Sequence, residues 1–147
     1  MSAFAHVLGK NNYEDLEFER FIEANQIKTY VENPYFPVNT LIMMRGAIVA
    51  QNEGYLEEYV KVGFHHMWET PKKMSDPEIY KKAMSSSGFN GSDLLEKSQI
   101  QDVKDRLMEN TKQAVEKGAF GTPTFFVQDQ IFYGKERLHQ IEKLLSD

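Results

Sequence analysis

Two stretches near the C-terminus carry the residue types best suited to chemistry. Gly121-Thr122-Pro123-Thr124 opens an apolar run, Phe125-Phe126-Val127, and Tyr133-Gly134-Lys135-Glu136-Arg137 follows a second one, Ile131-Phe132. Proline donates nothing to a β-ladder, so it belongs at the start or edge of a strand. A cis Thr122-Pro123 bond would turn the chain and leave the N–H and C=O of Thr122 unpaired at a strand end. Such groups can pair with an extended peptide-like ligand, which adds as a short antiparallel strand. If Tyr133 to Arg137 open a helix, their backbone N–H groups face any carboxylate placed above its N-terminus. Glu136 could then accept from a ligand ammonium. The competing reading is an ordinary strand with an edge proline and a helix start, and the residues alone leave the two open.

Other clusters offer less. His65-His66 with Glu69 suggests a metal, yet adjacent helical residues diverge by about 100° and cannot face one ion. His65 and Glu69 share a face, but two ligands do not make a site. No metal is expected there. Arg45, in an apolar stretch, either pairs with a carboxylate or reaches a ligand. Met43-Met44, among seven methionines, read as core filler. The chain has no cysteine, hence no disulfide, Cys-ligated zinc or thiol nucleophile of its own.

These residues must be positioned by helices and one hairpin. Asn12 is a plausible cap for a helix carrying Leu16, Phe18, Phe21 and Ile22 that stops near Asn25. Ile27–Val31 reads as extended. Pro37 suits the first turn of a mostly buried helix ending near Gly54, and a helix from Tyr55 to about Glu69 follows. Ser75-Asp76-Pro77-Glu78 opens a helix running to about Ser86. A short helix near Ser92–Glu96 and a long one from about Gln99 to Lys117 come next, with Gly118 as the terminal glycine. The apolar period then changes. Residues 122–127 and 131–133 read as the strands of a β-hairpin with a turn at Gln128-Asp129-Gln130, and an amphipathic helix over 136–145 closes the chain.

With 147 residues, one domain or a domain with a small appendage is expected. Lys+Arg 17 against Asp+Glu 22 argues against a nucleic-acid footprint, which needs clustered positive charge. No apolar run approaches a membrane span, and the first residues lack the basic and apolar regions of a signal peptide, so a cytoplasmic protein is expected.

Taken together, Gly118-Ala-Phe-Gly-Thr-Pro-Thr-Phe-Phe-Val127 and Phe132-Tyr-Gly-Lys-Glu-Arg-Leu138 resemble the C-terminal signature of the 2-hydroxychromene-2-carboxylate isomerases. These stand with the kappa-class glutathione transferases in the DsbA-like thioredoxin superfamily. Asn33-Pro-Tyr-Phe-Pro-Val-Asn-Thr40, Arg45-Gly-Ala, Met67-Trp68, Ser75-Asp-Pro77 and Asn110-Thr111 extend the likeness over Tyr13 to Leu145. The resemblance implies an α/β, thioredoxin-like fold with a large helical insertion, here residues 1–117, followed by the C-terminal ββα half, residues 118–147. It implies glutathione as cofactor. Thr122, before the cis-proline Pro123, would hold the cysteinyl part, and Tyr133, Gly134, Lys135 and Glu136 the γ-glutamyl end. The family usually has Asp at the Glu136 position and a small or amide residue at Lys135. Tyr35 and Asn39 match positions beside the substrate pocket, although a turn and a cap are their plain reading.

The implied reaction is isomerisation of an aromatic-derived small molecule by transient addition of the glutathione thiolate. The family's first strand–helix–strand, with the turn that bears its Ser or Cys, is expected upstream of Tyr13 and finds no counterpart here. No catalytic residue is therefore assigned, and the chain is expected to be incomplete and, by itself, inactive. Without those strands the hairpin keeps an open edge rich in Phe125, Phe126, Phe132 and Tyr133, which predicts a homodimer. The alternatives are a non-catalytic helical fragment or self-associating interaction module and, ranked below them, a DsbA-like disulfide oxidoreductase, which needs a cysteine.

Overall fold

In a computed structural model, residues 9–146 are described; the side chains of residues 10 and 11 are not. Seven helices and a two-stranded sheet follow one another: α1 (Lys10–Ala24), α2 (Leu41–Glu53), α3 (Leu56–Trp68), α4 (Pro77–Ser86), α5 (Gly91–Lys97), α6 (Gln101–Glu116), β1 (Thr124–Val127), β2 (Gln130–Tyr133), a 3-10 turn over Lys135–Arg137, and α7 (Leu138–Ser146). The core lies among α2 to α6. Ile48, Val49, Ala50, Tyr59, Met67, Met74, Tyr80, Ala83, Met84, Leu94 and Val103 pack there as one cluster. Ile141 of α7 is buried outside that cluster.

Local chemistry explains most boundaries. Asp76 caps α4, its Oδ1 accepting from the N–H groups of Glu78 and Ile79, with Pro77 in the first turn. Asn90 caps α5 through the N–H of Asp93. Gly54 and Gly118 follow α2 and α6 in the left-handed region, at φ +84° and +98°, where a glycine costs least.

Four expectations are corrected. α1 starts two residues before Asn12, after a left-handed Gly9 whose carbonyl accepts from Tyr13 N–H. Residues 27–31 form no strand; instead Val31 N–H donates to Trp68 O at 2.6 Å. α2 starts at Leu41 rather than Pro37, because the Oδ1 of Asn39 supplies the acceptor for Leu41 N–H. The hairpin turn holds two residues, Gln128-Asp129, with Gln128 at φ +53°, so Gln130 joins β2 opposite Val127.

The loop before α2 is tied down by one buried side chain. Asn33 is 2% exposed; its Nδ2 donates to Met67 O and Lys72 O, and its Oδ1 accepts from Tyr35 N–H. This holds Phe36 against Trp68, with ring centroids 5.8 Å apart. α1 docks through Phe18 on Tyr30, which stacks on Trp68. Among the described residues, no helix is long and apolar enough to cross a membrane.

Candidate functional site

Pro123 directly precedes β1. The Thr122-Pro123 bond is cis, and Thr122 and Pro123 are exposed. Pro123 O accepts from Gly134 N–H at 3.0 Å, so the two predicted binding stretches meet at one corner of the hairpin. Among the described residues nothing pairs with the backbone N–H or C=O of Thr122. Tyr133 stacks obliquely on Phe120, and its ring closes on Gly121 so tightly that a Cβ there would lie 2.9 Å from it.

The helix-start anchor takes a different form from the one expected. Residues 135–137 are a 3-10 turn, and α7 itself begins at Leu138. The N–H of Gly134 is spent on Pro123, that of Arg137 on Gly134 O, and that of Glu136 on its own carboxylate. Three of the backbone donors at this corner are thus spent within the chain, and side-chain charge stands beside them. Lys135 Nζ pairs with Glu136 Oε1 and lies 4.9 Å from the centre of the Phe21 ring of α1. The Lys135 ammonium holds the exposed Glu136 carboxyl below its ordinary range.

Tyr35 and Asn39 do not join this corner through any contact. Tyr35 is 51% exposed. Asn39 lines an open cleft beside α2 with Arg45, Ser75 and Gln99. A separate groove of about 330 Å³ runs between α2 and α3, walled by Phe36, Met43, Met44, Val60, Phe64 and Trp68. Met43 packs against the core as expected while also lining the groove, whereas Met44 is groove lining rather than core filler: Met44 is 42% exposed and Phe64 62%. The signal missed was the i, i+4 spacing of Val60, Phe64 and Trp68 along α3.

The His65 and His66 rings meet edge to face, centroids 4.9 Å apart, yet bond different partners. His65 spends Nδ1 on Glu69 at 2.9 Å and Nε2 on Thr70 Oγ1, and its bond lowers the Glu69 carboxyl pKa. His66 is buried, with Nε2 facing Ala83 O and Ser87 Oγ and Nδ1 only 2.9 Å from Lys72 Nζ. An ammonium can only donate, so Nδ1 accepts and the proton sits on Nε2. Burial, then the Lys72 charge, push the His66 pKa down.

Comparison with known proteins agrees with this fold. The DSBA-like thioredoxin domain model matches residues 4–146. A 2-hydroxychromene-2-carboxylate isomerase from Sphingobium xenophagum is 28% identical over 101 residues, covering 69% of this chain and 52% of that protein. One from Pseudomonas sp. (strain C18) is 25% identical over 140 residues, covering 93% and 63%. A solved structure of 2-hydroxychromene-2-carboxylate isomerase superposes with a TM-score of 0.81 at 22% identity, over 93% of this chain and 66% of that one. The chain thus spans between half and two-thirds of the length of these relatives, and the structural match speaks for the fold. By the span of the domain match, the chain belongs to the DSBA-like thioredoxin domain family.

Proposed function

We propose that this chain provides the glutathione anchor and the apolar substrate walls of an isomerase acting on a small aromatic-derived molecule. The observation that carries the reading is the Lys135–Glu136 pair beside the unpaired Thr122 backbone. The γ-glutamyl end of glutathione bears one ammonium and one carboxylate. Glu136 and Lys135 offer the opposite charge to each, and they exchange each other for the ligand at little net cost because both are solvated. The Thr122 N–H and C=O suit the amides around the cysteinyl residue, as an added strand. When bound, glutathione supplies the thiolate nucleophile. The groove between α2 and α3 suits a flat ring, which Trp68, Phe36 and Phe64 would hold by stacking and shield from water. The isomerases among the relatives support the reaction class.

Calorimetric titration of the protein with reduced glutathione tests the anchor. Saturable binding is expected, weakened about tenfold or more in Glu136→Ala, the loss expected for one charge-assisted hydrogen bond. No binding, or an unchanged Kd in Glu136→Ala, would overturn the assignment. Glutathione binding without conversion of 2-hydroxychromene-2-carboxylate is expected of this chain alone, because no catalytic residue is assigned to it; turnover, read by absorbance, would show that the chain suffices.

A further inference from the structure

A second groove, of about 960 Å³, lies between α1, the loop before α2 and the end of α3. Its wall is a row of four rings. Phe18 meets Tyr30 edge to face at 5.1 Å, Tyr30 stacks on Trp68 at 6.0 Å, and Phe36 leans on Trp68 at 5.8 Å. Phe18 and Phe36, at the two ends of the row, are exposed. Four carboxylates stand around this apolar wall, those of Asp15, Glu19, Glu23 and Glu32, and among the described residues no lysine, arginine or histidine lines the groove. Nor does any of the four make a hydrogen bond or ion pair among the described residues. Burial, then the Glu32 charge, raise the Tyr30 phenol pKa, which sets that carboxylate beside the rings. Asp15, Glu19 and Glu23 recur at i, i+4 and i+8 along α1. Like charges at that spacing destabilise a helix, and no cation in the lining of the groove relieves them. An exposed aromatic wall rimmed by charge of one sign fits a ligand that is apolar along its length and bears the opposite charge.

We infer that this groove is a binding site for a linear aliphatic polyamine. Its ammonium groups pair with the carboxylates, and its methylene segments lie along the row of rings. The spacing favours this class of cation: a four-residue step along a helix rises about 6 Å, close to the reach of a propyl or butyl chain between two ammonium groups. The groove shares Phe36 and Trp68 with the one between α2 and α3. The polyamine nevertheless requires neither glutathione nor the Lys135–Glu136 corner, so its titration and that of glutathione fail separately.

Spermidine is the probe. Hexaamminecobalt(III) is a compact cation of the same charge without methylenes, and trilysine a peptide of the same charge. In calorimetric titrations spermidine is expected to bind about tenfold or more tighter than either, because only its chain both follows the carboxylates and covers the rings. Trp68 is the only tryptophan in the sequence, so its emission should shift with the same midpoint. The double variant Glu19→Gln/Glu23→Gln removes a like-charge pair, which leaves α1 at least as stable, and should weaken spermidine about fivefold or more. Hexaamminecobalt(III) binding as tightly as spermidine would reduce the groove to a patch that gathers any cation and overturn the proposal. Trilysine binding more tightly would overturn the polyamine in favour of a basic peptide. Saturable binding that leaves Trp68 emission unchanged, or an unchanged Kd in the double variant, would overturn the site.

Discussion

Single atoms decide much in the core. The Tyr59 hydroxyl donates to Met43 O at 2.8 Å, so the Tyr80 hydroxyl, 2.9 Å away, donates to Tyr59 in turn. Burial raises both phenol pKa values, and the pair is neutral at any physiological pH. Gly46 faces this pair, and a Cβ there would lie 2.2 Å from the Tyr59 hydroxyl and 2.3 Å from that of Tyr80. Gly46→Ala is therefore expected to cost about 1–3 kcal/mol, read as a lower urea midpoint. An unchanged midpoint would show that the two rings move aside freely. His66 supplies a pH dependence. Its folded pKa lies below the ordinary 6.5, so between the two values the unfolded chain binds more protons. Stability from this group is complete above about pH 6.5 and is lost as the pH falls toward the folded value. Urea midpoints of the unaltered protein should drop from pH 7.5 to pH 5, and His66→Gln should flatten that difference. An equal slope in the variant would assign the dependence to other groups.

At the scale of elements, short polar contacts place the secondary structure. Asp76 satisfies two of the orphan donors of α4, and Asp76→Ala should cost about 1 kcal/mol, visible as a lower thermal midpoint. A midpoint unchanged within error would mean that solvent caps α4 equally well. Lys97 ties α5 to α2 by bridging Asp93 and Glu53, at 2.6 and 2.5 Å. Both carboxylates raise the Lys97 pKa. All three side chains are partly exposed to solvent, which screens their charges, so this bridge orients more than it stabilises. Much of this level was legible in advance. Asp76-Pro77-Glu78 is a cap by composition, Gly118 an end by its freedom at positive φ, and residues 124–133 a hairpin by their β-formers. The start of α2 was not, because Pro37 fits a first helical turn by type, whereas the acceptor that sets Leu41 comes from Asn39.

For the whole molecule, the two-stranded sheet β1–β2 pairs Thr124 with Tyr133 through Val127 with Gln130, and among the described residues neither outer edge is paired. Phe126, Ile131 and Tyr133 are each more than 40% exposed on it. A two-stranded ribbon with such an edge is marginal alone in water and gains by pairing with a second copy. Light scattering at increasing concentration is expected to show a homodimer, and a monomer at high concentration would refute that. The apolar groove between α2 and α3 arises at this scale too. Phe36 reaches it because the buried Asn33 clamps the loop to Met67 and Lys72, 34 and 39 residues further along the chain.

The sequence by itself determined the helix–hairpin–helix order, the family, and the two stretches around Thr122 and Tyr133 that meet at one corner. Those follow from caps, proline, glycine and hydrophobic period, which act over a few residues. The tertiary structure decided the rest. Residues far apart in the chain settle which donors are already spent, as Gly134 N–H is on Pro123 O. They also settle which methionines face a groove, and that Arg45 has no acceptor. A residue's type states what it can bond, and only packing states what is left within its reach.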